Sequence, residues 1–305
     1  MAAAPPEYIC TLSKELQEKA RRELNETAET RKDGLKKLFE MIQARPHMNC
    51  PTDAVFLLGF LRARKFDIDR SFKLLENWCR VRVEMKEVFS DYRPSTAKEL
   101  IQDGVFFSLS TRDSEGRLIS ISRPGKWNPK NSTVWELMKV SVMAGDINMM
   151  DEETQINGVV LILDMGGIGM RHITQFGPRL AMKVAPLMSS DTFPQRVGSI
   201  NVLNESGFFD GMYAILKPFL KEKIRKRFFI HGDDLSKLHS KVSSSLLPGE
   251  YGGSVEKSLD DFANRWADLL HSKEDMFAAM MDYGLKKTKN KYVNSEESVA
   301  RVNGI

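Results

Sequence analysis

The run GVVLILD at residues 158–164 is apolar at every position between its glycine and its aspartate. In a half-buried strand apolar and polar residues alternate, because successive side chains point to opposite faces. A strand without that alternation has to be covered on both faces, as the central strands of a parallel sheet are. This segment therefore predicts an α/β fold.

Predicted helices and strands alternate around this segment. Two short β-rich runs, at residues 104–111 and 117–124, are joined by the turn RDSEGR and predict a strand hairpin. The elements predicted beyond the hairpin are a helix at about 133–150, a strand at 157–164, a helix at 173–189, a strand at 198–204, a helix from 208 and a strand at 228–230. This order predicts a mostly parallel sheet with helices on its faces.

The periodicity changes along the chain and predicts four regions. Leu74, Trp78 and Val81 recur at helical spacing, as do other apolar residues of the first part of the chain. The predicted regions are a helical N-terminal domain at 8–92, an α/β domain at 93–255, one C-terminal helix at 256–285 and a disordered basic tail at 286–305.

Positive charge is concentrated in one segment. The chain has a net charge of +4, whereas residues 217–227 contain six Lys or Arg and one Glu. Such asymmetry predicts an anionic partner met at one place, a membrane surface or phosphate headgroup and not nucleic acid. A solvated helix end, where cations favour the helix dipole, is the alternative.

Composition predicts a soluble cytoplasmic protein without a metal or another cofactor. No apolar run approaches the ~20 residues that span a bilayer, and the start MAAAPPEYIC lacks the pattern of a secretory signal. The three cysteines and five histidines lack metal-ligand spacing, so the cysteines are expected to be free thiols in a reducing compartment.

Two motifs could suggest catalysis or nucleotide binding. The sequence LDMGGIG at 163–169 matches neither known phosphate-binding glycine pattern, and it predicts a tight turn between a strand and a helix. In HGDD at 231–234 an aspartate is expected to cap the next helix. Because no nucleophile, acid and base occur together, we predict no catalytic residues and no enzyme.

The helix predicted at 133–150 has an unusual face. It combines Met138, Ser141, Val142 and Gly145, whereas a packed core favours Leu and Ile. Met adapts to irregular shapes. Two interpretations remain open: a loosely packed core, or the wall of a cavity for an apolar ligand.

The segment FFDGMYAILKPFLKEKIRKRFFIHG at 208–232 begins apolar and ends basic. At 100° per residue one helical stripe contains Phe209, Met212, Leu216 and Leu220. Lys223 and Arg227 continue that stripe, and Pro218 is expected to kink or divide the helix. This pattern predicts a lid with an apolar part over a cavity and a cationic end at the rim.

Six segments resemble the CRAL-TRIO lipid-binding family, on the branch of alpha-tocopherol transfer protein and its relative alpha-tocopherol transfer protein-like, with the clavesins and cellular retinaldehyde-binding protein. They are FLLGFLRARKFDIDRSFKLLENW, WNP, DEETQINGVVLILD, FPQRVGSINVLNE, KPFLKEKIRKRFFIHG and LLPGEYGG. The resemblance implies a helical N-terminal domain and an α/β domain, in which a mobile helical lid at 204–227 covers a pocket for one hydrophobic molecule.

The resemblance, together with the helix faces above, identifies two sets of candidate site residues. The predicted pocket consists of Trp127, Met138, Ser141, Val142, Gly145, Val159, Leu163, Val184, Leu187, Met188, Phe193, Val197, Ile200, Phe209, Met212, Leu216 and Leu220. The predicted site for a phosphatidylinositol phosphate headgroup, most readily a bisphosphate, consists of Arg64, Lys73, Arg196, Lys223 and Arg227.

This chain departs from the family pattern at several positions. Gly198 stands where the family has another basic residue, Gln195 stands at a usually apolar position, and the loop SSDTFP is one residue longer. Smaller side chains occur at Ala144, Gly145 and Ile168. Removing volume from a pocket wall predicts a bulkier ligand than vitamin E.

The predicted function is lipid transfer. One hydrophobic molecule, a tocopherol, a retinoid or a similar lipid, would be exchanged at phosphoinositide-containing endosomal or plasma membranes, with which the protein associates peripherally. The alternative is a phosphoinositide-binding adaptor of endosomal or clathrin-coated membranes without net transfer.

Overall fold

The computed structural model describes residues 4–205 and 207–286. Its N-terminal part is helical, and side-chain caps such as the Asp67 carboxylate on the amide of Arg70 begin several of the helices. The elements are α1 (Lys14–Leu24), α2 (Ala28–Gln43), β1 (Met48–Asn49), α3 (Ala54–Ala63), α4 (Ile68–Glu84) and α5 (Lys86–Phe89).

Strands and helices then alternate as predicted. The elements are α6 (Lys98–Gln102), β2 (Phe106–Arg112), β3 (Leu118–Ser122), α7 (Val134–Asn148), α8 (Glu152–Asn157), β4 (Val159–Asp164), α9 (Met170–Ile173), α10 (Pro178–Val184), β5 (Val197–Leu203), α11 (Gly207–Leu216), α12 (Glu222–Arg225), β6 (Phe228–Ile230), α13 (Leu235–His239), α14 (Leu259–His271), α15 (Glu274–Met280) and β7 (Gly284–Leu285). Short 3-10 turns lie at Pro94–Ala97, Pro124–Lys126, Ala185–Met188, Lys217–Phe219, Ser244–Leu246 and Gly249–Tyr251.

The main sheet has the strand order β2-β3-β4-β5-β6. β2 and β3 form the predicted antiparallel hairpin, and the pairs from β3 to β6 are parallel. In β4, Val160 and Ile162 are buried in the main hydrophobic core, whereas Leu161 and Leu163 belong to the opposite face. The prediction of an α/β fold with a mostly parallel sheet is confirmed.

Two predicted helices are divided in the structure. The helix expected at 173–189 is replaced by α9, which ends at Ile173, and α10, which begins at Pro178. Gly177 between them is extended, because the residue before a proline is disfavoured in the helical region. The prediction of a single C-terminal helix at 256–285 is also wrong. The first helix of this region, α14, ends at His271, where the Ser272 hydroxyl donates to the Leu269 carbonyl at 2.7 Å. A new helix, α15, starts at Glu274, whose carboxylate accepts the Ser95 amide. The basic tail predicted at 286–305 lies outside the described residues after Lys286.

The end of the described chain returns to the N-terminal helices. β7 pairs with β1 in antiparallel register, and the Lys286 amide donates to the His47 carbonyl at 2.7 Å. Gly284 has a φ of +140°, and a Cβ there would lie 2.7 Å from Cγ2 of Val83. The C-terminal segment is therefore held against α4.

A buried ion network joins the helical part to the α/β part. The Arg62 guanidinium in α3 donates to both carboxylate oxygens of Glu26, at 2.8 and 2.9 Å. It also donates to Glu152 at 2.8 Å and to Gln155 at 2.7 Å, both in α8. Arg62 and Glu26 are almost fully buried, and Arg31 adds a longer contact to Glu26 at 3.3 Å, so the bidentate Arg62 pair is the main compensation for the buried Glu26 charge.

We predict that Arg62→Met lowers the free energy of unfolding by about 3 kcal/mol or more, because Glu26 would be left as a buried charge. Urea unfolding followed by circular dichroism measures this. The control is Arg21→Met, which breaks the exposed Arg21–Glu18 pair at 2.7 Å and should change stability by less than about 1 kcal/mol. Equal losses in the two variants would contradict the structural role of the network.

Candidate functional site

A cavity of about 770 Å³ lies between α7, the face of the sheet that carries Leu161 and Leu163, and the N-terminal and C-terminal helices. Its wall is mostly apolar, and this size suits one lipid-sized molecule. The predicted pocket residues found on the wall are Met138, Ser141, Val142, Gly145, Leu163, Val184, Leu187, Phe193, Ile200 and Leu216.

Gly145 opens the α7 side of the cavity. A Cβ built on Gly145 would meet only Oε1 of Gln195, at 4.0 Å, so the space above this residue is empty of protein. Ala144, in contrast, is fully buried in the core, and neither it nor Ile168 lies on the wall. The expected extra volume therefore comes from Gly145 alone among the three positions.

Five predicted pocket residues lie off the wall, and the packing of each gives the reason. The Trp127 indole N–H donates to the Ser132 carbonyl at 3.0 Å and its ring packs in the core. The wall on β4 begins at Leu161, beyond the buried Val159. The other three are Val197 and Phe209, which pack together with Val202 and Tyr213, and Leu220, which is buried.

The predicted lid stripe is not continuous. α11 ends at Leu216, Pro218 lies in a 3-10 turn, and Lys223 belongs to the separate helix α12. Proline lacks the amide that would continue the helix, so the face defined by α11 is lost at the turn. Only Leu216 of the stripe lines the cavity, and the side chains of Met188 and Met212 lie outside what the structure describes.

Residues far apart in sequence complete the wall at the opposite end. Phe56 and Trp78 pack edge to face with ring centroids 5.2 Å apart, and Trp78 lies 6.4 Å from the Tyr283 ring. Other wall residues from these segments are Pro51, Asp53, Val55, Phe60, Met276, Ala279 and Met280. Sequence reasoning missed them because aromatic residues at helical spacing also fit an ordinary core.

A few polar groups interrupt the apolar wall. The Ser141 hydroxyl donates to the Leu137 carbonyl at 3.1 Å. One carboxylate oxygen of Asp146 accepts from Arg82 at 2.7 Å and from Tyr92 at 2.8 Å. The Gln195 amide has no hydrogen-bond partner within the described part of the chain, although it lines the cavity.

Cations from distant segments converge beyond the lid. We use the name basic cluster for Arg64, Lys65, Arg117, Arg196, Lys223 and Arg227. Burial and then the neighbouring positive charges lower the pKa of Lys223 and that of Arg227. Mutual repulsion of this kind is relieved when an anion binds.

Lys73 is paired with an acidic neighbour on its own helix. Its ammonium donates to the Glu76 carboxylate at 2.6 Å, and its place in a headgroup site stays a prediction. The remaining four predicted headgroup residues belong to the cluster, and sequence reasoning missed Lys65 and Arg117.

The loop SSDTFP supplies an internal counterion. Arg64 donates to the Ser190 carbonyl and lies 3.3 Å from the Asp191 carboxylate, which also pairs with Lys221. The Asn77 amide holds the loop by donating to the Asp191 carbonyl at 2.9 Å. Asp191 therefore connects the end of α3 with the segment that follows α11.

The motifs LDMGGIG at 163–169 and HGDD at 231–234 have structural roles. Gly167 has a φ of +83° in the turn after β4, which fits the predicted tight turn. The Asp234 carboxylate accepts the Ser236 amide at 3.0 Å and caps α13, as predicted. Within residues 4–205 and 207–286, no three His, Cys, Asp or Glu side chains gather as metal ligands, and no helix could cross a membrane.

Comparisons with known proteins agree with this fold. The CRAL/TRIO domain model matches residues 102–253. Alpha-tocopherol transfer protein-like of Mus musculus is 40% identical over 89% of this chain and 78% of its own length, and Clavesin-2 of Mus musculus is 33% identical over 80% and 75%. The crystal structure of Sfh5 has a TM-score of 0.50 at 13% identity, over 88% of this chain and 99% of that one. The chain belongs to the CRAL/TRIO family of lipid-binding proteins.

We predict that Gly145→Phe abolishes loading of the hydrophobic dye Nile red, because the phenyl ring would enter the cavity. The melting temperature should stay within a few degrees of wild type, since an open site avoids the cost of overpacking. Gly249→Phe, at an exposed position with open space around it, is the matched control and should load normally. Unchanged loading by Gly145→Phe, or a melting temperature far below wild type, would exclude the cavity at this position.

Proposed function

We propose that this protein is a non-enzymatic lipid-transfer protein. It binds one hydrophobic molecule, a tocopherol, a retinoid or a similar lipid, in the cavity and exchanges it at phosphoinositide-containing membranes. The observation that supports this most directly is that one segment, between β5 and β6, contributes Leu216 to the cavity wall and Lys223 and Arg227 to the basic cluster. The proposed location is the cytoplasm, with peripheral association to endosomal or plasma membranes.

The surface around this segment suits contact with a bilayer. Phe219, in the turn after α11, is 40% exposed, and Met182 in the adjoining helix α10 is 59% exposed. Each Lys or Arg near an anionic leaflet adds about 1 kcal/mol of attraction. Apolar insertion and charge together would favour movement of α11 at the membrane, where the cavity can exchange its ligand.

The polar groups of the wall define the ligand further. A wholly apolar molecule would leave the Gln195 amide without a partner, which is unfavourable in a buried site. A ligand with a long apolar body and one hydroxyl or carbonyl group would satisfy Gln195 while filling the rest of the wall. A phosphoinositide-binding adaptor, the second candidate, is favoured by the basic cluster alone and has no need of the cavity.

We predict that Lys223→Ala with Arg227→Ala weakens binding to vesicles containing phosphatidylinositol bisphosphate by about tenfold or more, because charge-assisted contacts to phosphate are strong. The matched control is Lys257→Ala with Arg265→Ala, two exposed cations at the far edge of the sheet. Cosedimentation with phosphatidylserine vesicles of equal charge provides the reference. The difference in binding between wild type and the Lys223→Ala, Arg227→Ala variant should shrink at high ionic strength.

Equal losses in the two double variants would rule out a headgroup site at the basic cluster. Transfer of a fluorescent tocopherol between vesicles separates the two candidate functions. A transfer protein moves the probe faster to phosphoinositide-containing acceptors, and the double variant loses that acceleration while still loading Nile red. Phosphoinositide binding without any transfer would favour the adaptor.

We predict that Asp191→Asn tightens binding to the same phosphoinositide vesicles by about threefold or more. The substitution removes the negative charge that pairs with Arg64 and Lys221, so phosphate no longer competes with Asp191 for these cations. Asp268→Asn on α14, an exposed change of equal charge, should have little effect. Weaker or unchanged binding by Asp191→Asn would show that Asp191 does not compete with the headgroup.

A further inference from the structure

Arginines mark the edge of the sheet at which the parallel strands begin. β3, β5 and β6 each start directly after an arginine: Arg117, Arg196 and Arg227, respectively. Backbone hydrogen bonds connect these positions, from Leu118 to the Gly158 carbonyl and from Val159 to the Arg196 carbonyl. The β5–β6 pair continues the row, since the Ile200 amide donates to the Arg227 carbonyl at 2.8 Å.

A glycine on β5 lets Arg117 reach along this row. β4, which separates β3 from β5, begins directly after Gly158. On β5, a Cβ built at Gly198 would lie 2.8 Å from Cδ of Arg117 and 3.0 Å from its Nη1. Contacts that short do not occur, so the Arg117 side chain occupies the space that any side chain at position 198 would take.

One carboxylate fixes the base of the Arg117 side chain. Its Nε donates to Oδ2 of Asp113 at 2.6 Å, and its backbone amide donates to Oδ1 of the same residue at 2.8 Å. No hydrogen bond to either Nη atom occurs within the described residues, and Arg117 is one of the two cations that lower the pKa of Arg227. Asp113 thus holds the base of the guanidinium and leaves its far edge available for an acceptor.

The basic cluster consequently has two ends. Lys223 is influenced by Arg64, Lys65, Arg196 and Arg227, whereas Arg227 is influenced by Arg196 and Arg117. Arg196 and Arg227 are shared, and the strand order places Arg117, at the start of β3, two strands away from Arg196 at the start of β5. A headgroup with one phosphate can be satisfied without reaching Arg117. A second phosphate on the same inositol ring requires cations at both ends.

We propose that Arg117 contacts the second phosphate of a bisphosphorylated inositol headgroup and so sets the preference for bisphosphate over monophosphate lipids. This inference rests on the proposed phosphoinositide-dependent function. Gly198 is the second specificity-determining position, because its missing side chain admits Arg117 to the site.

The test compares binding to vesicles with phosphatidylinositol bisphosphate and with phosphatidylinositol monophosphate, adjusted to equal charge with phosphatidylserine. Arg117→Gln is expected to lose about tenfold in affinity for the bisphosphate vesicles and less than about twofold for the monophosphate vesicles. Arg265→Gln, at an exposed position on α14, is the control for loss of one arginine. Soluble inositol trisphosphate should displace the wild type, and inorganic phosphate at the same concentration should not.

A second experiment moves the arginine from position 117 to position 198. Gly198→Arg in the Arg117→Gln background should recover most of the lost bisphosphate affinity, because the new side chain grows from the space that Arg117 vacates. Gly198→Ala alone should weaken bisphosphate binding, since it displaces Arg117. Melting temperatures are measured for all variants. If Arg117 has only a structural role, Arg117→Gln lowers the melting temperature and the added Gly198→Arg does not restore bisphosphate binding.

Two results separate this inference from the proposed function. If the wild type prefers phosphoinositide to phosphatidylserine vesicles and Arg117→Gln behaves like Arg265→Gln, the role of Arg117 is overturned and the proposed function stands. If the wild type shows no such preference, or inorganic phosphate competes equally, the headgroup site itself is absent and both proposals fail.

Discussion

The structure depends on a strand that must be covered on both faces and is covered differently on each. In β4, Val160 and Ile162 are 1% and 0% exposed in the main core, so this face is packed to the density of a protein interior. On the other face Leu161 and Leu163 border a cavity of about 770 Å³. The hydrophobic effect draws helices over both faces, but only one of them is filled by side chains.

Buried charges explain why the second face does not collapse. Asp146 in α7 is held by Arg82 of α4 and by the Tyr92 hydroxyl, and the Arg82 guanidinium lies 3.9 Å from the centroid of the Trp78 ring. Moving α7 onto the sheet would separate this buried pair, which is costly. The wall therefore stays in place while Gly145 leaves the space beside it open.

Sequence patterns within one segment were sufficient to predict features that a single helix or strand forms. The periodicity of β4 and of the α7 face identified the sheet and part of the cavity wall, including Met138 and Gly145. It failed at Leu220, because a stripe calculated on one straight helix does not continue past the turn at Pro218. It failed at Phe209, which lies on α11 before that turn, because this ring stacks on Tyr213 with centroids 5.7 Å apart and is buried away from the wall. It could not supply Trp78 or residues of the C-terminal segment, since their place on the wall depends on packing between segments about two hundred residues apart in sequence.

The same limit explains the basic cluster, whose members come from the end of α3, from α12 and from the residues directly before three strands. The family resemblance predicts that a cation is missing at Gly198, whereas the folded chain fills that space with Arg117 from another strand. Asp191 pairs with Arg64 and with Lys221, next to the turn that ends α11. A phosphate that takes over Arg64 would weaken this connection to the segment that closes the cavity. Headgroup binding and release of α11 would then be linked through Asp191, because the phosphate and this carboxylate compete for the same cations.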